Sequence, residues 1–183
     1  MSNFKEDLSR VKAFVFDVDG VFTDGVMYCM GDGEQVRATN AKDGFAVRFA
    51  MDQGYPLGII SAGANNGGLV KRLEFLGIKD LYIGSFKKTD SLEDFCKKHN
   101  VDKNDVLYMG DDLPDYPVLK QVGVPTCPGD AAVEIKQISK YISNIDGGKG
   151  CVRDVIEQVL RAQGKWVNLN DDSSMHMKFE RKK

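Results

Sequence analysis

The chain has 183 residues, of which 42% are hydrophobic and 28% charged, and its formal net charge at pH 7 is −2. These values are ordinary for one globular domain with a full hydrophobic core. They argue against a nucleic acid or an anionic membrane surface as partner, and no apolar run approaches the roughly 18 residues that span a bilayer.

In chain order, the charged N-terminus lacks the apolar core of a signal peptide, and the four cysteines form no C-x-x-C motif, so we expect a cytoplasmic protein. Residues 13–16, A-F-V-F, predict a strand covered on both faces. Residues 26–30 and 34–39 flank G-D-G, which predicts a hairpin within about 21–40. A helix is predicted from residue 40, with Asp43 as its cap. Further strands are predicted at 57–60, 81–83, 106–109 and 124–126, and further helices at 65–76, 88–99, 116–122, 131–138 and 151–163.

Strands that alternate with helices predict an α/β fold with a doubly wound, Rossmann-like and mostly parallel sheet. We expect a single domain over residues 1–164, in which the hairpin forms a flap and no connection is long enough for a separate cap domain. Residues 165–183 are polar and lack periodicity, which indicates a C-terminal tail. Trp166 is predicted to anchor this tail, which we expect to pack on a neighbouring subunit.

Two aspartates follow the first predicted strand directly, in the sequence F-D-V-D-G. Because charges do not belong inside a buried strand, Asp17 and Asp19 are placed just past its carboxyl end, where open α/β sheets bind ligands. Residues i and i+2 of an extended segment point the same way. Two carboxylates aimed at one spot repel each other unless a cation, a proton or a phosphoryl group lies between them. We therefore predict a reaction site that binds Mg²⁺, which prefers oxygen ligands.

Later strand ends carry the other groups that phosphoryl transfer needs. Ser61 ends the strand at 57–60, and G-D-D at 110–112 follows the strand at 106–109, with Asp115 one turn further. Lys88 opens the helix after the third buried strand, and Lys87 beside it is the alternative. One sheet edge would thus combine a nucleophilic carboxylate, a hydroxyl donor, a cation and a metal ligand.

In these motifs the chain resembles the haloacid dehalogenase superfamily of phosphotransferases, and within it the 3-deoxy-D-manno-octulosonate 8-phosphate phosphatase family. The resemblance covers about residues 10–163. One departure follows the second buried strand, where the family usually has T-G-R and this chain has S-A-G-A: the hydroxyl is kept and the arginine is absent. The matching segments are D-V-D-G-V-F-T-D-G from Asp17, N-A-K-D-G-F from Asn40, Lys88, G-D-D-L-P-D-Y-P-V-L from Gly110 and G-G-K-G-C-V-R-D from Gly147.

The resemblance and the residue types together imply a role for each matched residue. Asp17 would attack phosphorus, and Lys88 and Mg²⁺ would keep it ionised. Asp19 would protonate the leaving sugar oxygen and then accept a proton from water. Asp17, Asp111 and the backbone carbonyl of Asp19 would hold the metal. The residues expected to support metal waters and Lys88 are Asp112 and Asp115, and those expected to bind substrate are Ser61, Gly20, Thr23 and Arg153.

The implied activity is hydrolysis of 3-deoxy-D-manno-octulosonate 8-phosphate to the free sugar acid and phosphate, in lipopolysaccharide biosynthesis. An alternative keeps the chemistry and changes the substrate to a nine-carbon keto-deoxy sugar acid phosphate or another small phosphomonoester. A non-enzyme alternative is a phospho-acceptor or scaffold protein, although phosphorylated receivers lack an acid at the position of Asp19. The resemblance also implies a homotetramer in which each hairpin packs on its neighbours and the loop at 147–153 reaches the adjacent site.

Overall fold

The computed structural model describes residues 4–63 and 67–170. Two short 3-10 turns lie at Lys103–Asp105 and Leu113–Asp115. In chain order the helices and strands are α1 (Phe4–Arg10), β1 (Ala13–Phe16), β2 (Tyr28–Cys29), β3 (Gln35–Val36), α2 (Ala41–Asp52), β4 (Leu57–Ser61), α3 (Gly67–Phe75), β5 (Asp80–Ile83), α4 (Lys88–His99), β6 (Val106–Met109), α5 (Tyr116–Leu119), β7 (Val124–Cys127), α6 (Val133–Ile138), β8 (Tyr141–Ile142) and α7 (Cys151–Ala162).

Six strands form one sheet in the order β5-β4-β1-β6-β7-β8, and each neighbouring pair is parallel. β1 lies between β4 and β6, with Phe16 paired to Ile59 on one side and to Met109 on the other. All four residues of β1 are buried, which explains the wholly apolar sequence. The α/β class and the parallel sheet are therefore confirmed.

Helices cover both faces of the sheet, so that two hydrophobic cores form around β1. Phe14 and Phe16 belong to the core built with α2 and α7. Ala13 and Val15, which point to the other face, belong to the core built with α4, α5 and α6. The strand thus presents alternate residues to two helical layers, as a doubly wound fold requires.

The predicted hairpin is present, but its strands are short. Tyr28 pairs with Val36 and Cys29 with Gln35 in an antiparallel ribbon of two residues a side. Both strands are exposed on both faces, so little burial opposes fraying beyond these pairs. Within the described ranges, no segment forms a separate cap domain over the sheet edge.

The prediction that Asp43 caps α2 is wrong. The cap is Asn40, whose side chain accepts a hydrogen bond from the backbone N–H of Lys42. Asp43 lies in the first turn of the helix, is fully buried, and accepts a hydrogen bond from the backbone N–H of Arg153 at 2.8 Å. It therefore satisfies a free N–H in the first turn of α7 rather than of its own helix.

Several other boundaries differ from the sequence prediction. The helix expected over 116–122 begins where predicted but ends early, since α5 covers only Tyr116–Leu119 and Lys120 is its C-cap. Two elements, α1 and β8, were not predicted, since neither has a clear apolar period. The predicted start of the helix at 65 lies outside the described residues.

The first part of the predicted tail packs on the domain. The Trp166 ring contacts Phe45 and Phe49 of α2, with ring centroids 6.3 and 5.3 Å away, which agrees with its predicted role as an anchor. The rest of the tail, residues 171–183, lies outside the described residues. No helix in the described ranges is both long and apolar enough to cross a membrane.

Candidate active site

The parallel pairing of β4, β1 and β6 brings three polar strand ends to one edge of the sheet. Asp17 follows β1 directly and donates its backbone N–H to the carbonyl oxygen of Met109, the last residue of β6, at 3.0 Å. Ser61 is the last residue of β4. The G-D-D segment begins directly after β6. The predicted convergence of these strand ends is therefore present in the structure.

Lys88 joins two of the predicted carboxylates at the centre of this edge. Its Nζ lies 2.8 Å from Asp17 Oδ2 and 2.7 Å from Asp115 Oδ1, and the lysine is 4% exposed. Asp115 is fully buried and also accepts hydrogen bonds from the Tyr108 hydroxyl at 2.6 Å and the Asp111 backbone N–H at 3.2 Å. Lys88 and Tyr108 thus fix Asp115, while Lys88 fixes one oxygen of Asp17.

Burial and crowding of negative charge raise the acid pKa values here. Burial, followed by repulsion from Asp115, raises the pKa of Asp17 well above its usual range, and Lys88 opposes the rise. The pKa of Asp111 is raised to about 7, chiefly by burial and then by repulsion from the carboxylates of Asp115 and Asp112. Burial would lower the pKa of Lys88, but the two carboxylates beside it raise it on balance. The site therefore lacks positive charge relative to its carboxylates.

The residues fit a divalent cation with oxygen ligands. Oxygens of Asp17, Asp111 and Asp115 all lie within 4.8 Å of one another. Asp17 Oδ1 is buried and has no hydrogen-bond partner, which is costly unless a cation or ligand contacts it. Both oxygens of Asp115 already accept hydrogen bonds, so Asp17 and Asp111 are the better ligands. The donor set is the hard oxygen type that Mg²⁺ prefers.

A glycine turn after Asp19 makes the close approach of Asp111 possible. Gly20 has a φ of +79°, and a Cβ built on it would lie 2.0 Å from Asp111 Oδ2. The glycine-rich loop before α7 packs on this turn, since a Cβ on Gly147 would lie 2.1 Å from the carbonyl oxygen of Gly20. No side chain fits at either position, so the two loops support each other beside the candidate metal ligands.

Asp19 contacts an arginine that the sequence analysis missed. Arg37, one residue past β3, donates from Nε to Asp19 Oδ1 at 2.6 Å and from Nη2 to Asp19 Oδ2 at 3.2 Å. The Arg37 side chain is 3% exposed, although the hairpin around it is open to solvent. No local signal marks this residue, because its importance depends on how the hairpin folds back over the sheet edge. Tyr108 was missed because it reads as part of an apolar strand.

The remaining predicted residues differ in how near they lie to the centre. Ser61 is 5% exposed, and its hydroxyl accepts the Gly63 N–H at 3.2 Å. Thr23 is fully buried with its hydroxyl 3.4 Å from Asp19 Oδ1, so it contacts the acid rather than open space. Asp112 is exposed beside Asp111, and its carbonyl oxygen accepts the Asp115 N–H. Lys87 is exposed, which leaves Lys88 as the lysine at the carboxylates.

Arg153 is not brought to the carboxylates within this chain. Its guanidinium lies over the rings of Phe45 and Trp166, at 5.6 and 5.5 Å from their centroids, and its Nε donates to Glu157 at 3.2 Å. A role for Arg153 in substrate binding therefore stays a prediction that would involve a neighbouring subunit.

Comparison with known proteins identifies the family. A haloacid dehalogenase-like hydrolase family model matches residues 74–152. The chain is 36% identical over 157 residues to the 3-deoxy-D-manno-octulosonate 8-phosphate phosphatase of Salmonella typhi, covering 85% of this chain and 82% of the relative.

Two solved structures are also similar. The 3-deoxy-D-manno-octulosonate 8-phosphate phosphatase of Yersinia pestis superposes with a TM-score of 0.85 at 32% identity, covering 88% of this chain and 86% of that chain. The same enzyme of Moraxella catarrhalis superposes with a TM-score of 0.84 at 29% identity, covering 87% of this chain and 91% of that chain. That structure was solved in complex with a magnesium ion, a phosphate ion and a KDO molecule. The chain thus belongs to the 3-deoxy-D-manno-octulosonate 8-phosphate phosphatase family of haloacid dehalogenase-like hydrolases.

Proposed function

We propose that the chain is a Mg²⁺-dependent phosphatase that hydrolyses 3-deoxy-D-manno-octulosonate 8-phosphate to the free sugar acid and phosphate. The observation that carries the chemistry is the environment of Asp17. Lys88 fixes one of its oxygens at 2.8 Å, and the other oxygen is buried without a partner. The named relatives supply the substrate, since they act on this sugar acid phosphate at 30–36% identity over most of the chain.

In the first step Asp17 is the nucleophile. One of its oxygens attacks phosphorus, the bond from phosphorus to the sugar oxygen breaks, and Asp19 gives its proton to that oxygen. The products of this step are the free sugar acid and an aspartyl phosphate on Asp17. Lys88 disperses the negative charge that the phosphoryl group brings beside Asp115.

In the second step water replaces the carboxylate. Asp19, now ionised, accepts a proton from the attacking water, the new bond from water oxygen to phosphorus forms, and the bond to Asp17 breaks. Phosphate leaves, and both aspartates return to their starting states. The Ser61 hydroxyl and the backbone N–H of Gly20 are proposed to donate to the phosphoryl oxygens in both steps, with Thr23 supporting Asp19.

Asp17, Asp111 and the backbone carbonyl of Asp19 are proposed to hold Mg²⁺. The unpartnered oxygen of Asp17 and the raised pKa of Asp111 support this choice, because both mark a shortage of positive charge. When bound, the ion supplies charge that neutralises the phosphoryl oxygens. Asp115 holds Lys88 and the Asp111 backbone, and Asp112 lies at the exposed rim of the same turn.

We also propose that the protein is a homo-oligomer, with a tetramer as the family resemblance implies. The hairpin exposes apolar side chains that have no cover within the described part of this chain. Packing against a second copy would bury them, and the family resemblance implies that the loop at 147–153 of one subunit then reaches the site of its neighbour. Light scattering over a dilution series, with specific activity measured alongside, tests this; a fully active monomer would contradict it. The exposed side chains are Val26, Met27, Tyr28, Met30 and Val36.

We propose a cytoplasmic location and a place in lipopolysaccharide biosynthesis, as the family resemblance implies. The four cysteines are free thiols, and Cys96, Cys127 and Cys151 are buried. Free thiols of this kind persist in a reducing compartment, which supports the location.

Phosphate release from a panel of phosphomonoesters tests the substrate. The panel contains the eight-carbon sugar acid phosphate, a nine-carbon keto-deoxy sugar acid phosphate, a neutral sugar phosphate and 4-nitrophenyl phosphate, each with and without Mg²⁺. We expect the highest kcat/KM for the eight-carbon acid. A higher value for the nine-carbon acid would favour that alternative, and no release from any member would favour a phospho-acceptor or scaffold.

A further inference from the structure

We propose that Arg37 is a positioning residue for Asp19, so that the hairpin sets the orientation of the acid and base of the reaction. This inference rests on the proposed function. The contact spans two separate structural units, since Asp19 follows the central strand β1 and Arg37 follows the second strand of the hairpin.

The guanidinium holds both oxygens of the Asp19 carboxylate. Nε donates to Oδ1 at 2.6 Å and Nη2 to Oδ2 at 3.2 Å, a two-point contact that fixes the plane of the carboxylate as well as its distance. The other hydrogen bond to this carboxylate within the described residues comes from the Thr23 hydroxyl, and at 3.4 Å it is long. Arg37 is therefore the main restraint on the orientation of Asp19.

The hairpin in turn fixes the guanidinium. Its Nη1 donates to the Gln35 carbonyl oxygen at 3.3 Å, and its Nη2 lies 3.4 Å from both the Met27 sulfur and the Gln35 side-chain oxygen. These partners come from both sides of the hairpin turn. A change in how the hairpin folds or packs would consequently move Asp19.

The Ser61 hydroxyl and Gly63 lie beside this contact. A Cβ built on Gly63 would lie 3.3 Å from Asp19 Oδ2, 3.3 Å from Ser61 Oγ and 4.0 Å from Arg37 Nη2. A side chain on Gly63 would therefore crowd both the Ser61 hydroxyl and the Asp19 carboxylate, which places the two groups next to each other beside Arg37. The sequence from Ala62 to Asn66 contains no cationic residue, whereas Arg37 of the hairpin contacts Asp19 directly.

A double-mutant cycle separates positioning from substrate binding and from general support of the fold. The variants are Arg37→Gln, Asp19→Asn and the double variant, with Arg48→Gln as the matched control, because Arg48 pairs with Asp52 on α2. kcat/KM is measured with phenyl phosphate, which has a poor leaving group, and with 4-nitrophenyl phosphate, which has a good one. Both are simple phosphomonoesters, so the cycle does not depend on which sugar acid is the natural substrate.

We expect Arg37→Gln to lower kcat/KM for phenyl phosphate by about 10²-fold, the cost of a misplacement of roughly 1 Å, and by much less for 4-nitrophenyl phosphate. In the Asp19→Asn background the same change should cost less than about 3-fold, because a residue that acts through Asp19 has nothing left to position. Arg37→Lys, which keeps the charge but not the two-point contact, should recover only part of the loss.

Three results would overturn the proposal. An undiminished loss in the Asp19→Asn background would show that Arg37 binds substrate directly or only supports the fold. Equal losses for the two substrates would show that proton transfer is not affected. Full activity of Arg37→Gln on phenyl phosphate would show that the contact has no role. If the wild type hydrolyses neither ester, the cycle is measured with 3-deoxy-D-manno-octulosonate 8-phosphate, and no phosphate release from that substrate either would contradict the proposed function rather than this inference.

Discussion

Replacing Lys88 by methionine should destabilise the protein far more than the same change at its neighbour Lys87. Lys88 lies between Asp17 and Asp115, with contacts of 2.8 and 2.7 Å and a side chain that is 3% exposed. Methionine fills similar space but leaves two buried carboxylates facing each other. Lys87 is exposed and has no ion pair among the residues that the structure describes, so Lys87→Met is the matched control.

The magnitude follows from the burial of the three groups. Removing one partner of a buried ion pair typically costs about 3–5 kcal/mol in unfolding free energy. For a domain of this size that lowers the melting temperature by roughly 6–20 °C. Lys87→Met should stay within about 0.5 kcal/mol of wild type.

The loss should also depend on pH. Without Lys88 the pKa of Asp17 rises further, so its folded-state pKa lies above its unfolded-state value. A carboxyl of this kind is less costly when protonated, so the deficit is largest at high pH and shrinks as the pH falls. Adding Asp115→Asn to the Lys88→Met variant should recover part of the stability, because one of the two buried charges is gone.

Urea unfolding with chelator present, at pH 5 and pH 8, measures all three effects. The chelator removes the compensation that a bound cation would give to Asp17. Equal losses for Lys87→Met and Lys88→Met would refute the reasoning, as would a double variant no more stable than Lys88→Met alone.

Three further outcomes are expected. Chelator should abolish phosphate release and Mg²⁺ should restore it, because Asp17 and Asp111 converge without enough positive charge; full turnover in excess chelator would exclude the metal site. Asp19→Asn should slow hydrolysis of the sugar phosphate by about 10²–10⁴-fold and that of 4-nitrophenyl phosphate by less, and equal losses would mean that Asp19 only supports the metal. Burial raises the pKa of Asp43 to about 6, above its unfolded value of about 3.9. The ionised form is therefore costly in the fold, and the free energy of unfolding falls as the pH rises from roughly 4 to 6, by at most about 3 kcal/mol. Asp43→Asn keeps an acceptor for the Arg153 N–H and should lose this pH dependence in thermal unfolding, whereas an unchanged pH profile would show that Asp43 is not the group responsible.

Much of the fold could be predicted because local sequence and tertiary environment agree. The strand at 13–16 is apolar throughout because helices cover both faces, and the predicted and observed bounds of β1, α4 and β6 are the same. The short strand β8 was missed because two residues carry no period. Asp43 was misplaced because its partner, the Arg153 N–H, lies 110 residues away in sequence.

The residues of the candidate site likewise divide into those that local sequence could place and those that depend on distant contacts. Asp17, Ser61 and Asp111 could be placed from sequence, because parallel strands bring their carboxyl ends to one edge. The choice of Lys88 over Lys87 relied on the spacing of the family motif as well. Arg37 could not be predicted, since its contact with Asp19 depends on how an exposed hairpin folds back over the sheet. Nothing within the hairpin sequence indicates that geometry.

The most direct test of the account compares wild type with Asp17→Asn on 3-deoxy-D-manno-octulosonate 8-phosphate in the presence of Mg²⁺, with Asp52→Asn as a control on the surface of α2. We expect wild type and Asp52→Asn to release one phosphate for each sugar acid formed, and Asp17→Asn to release none while melting cooperatively as a folded protein. Hydrolysis that persists in folded Asp17→Asn would contradict the claim that Asp17 is the nucleophile.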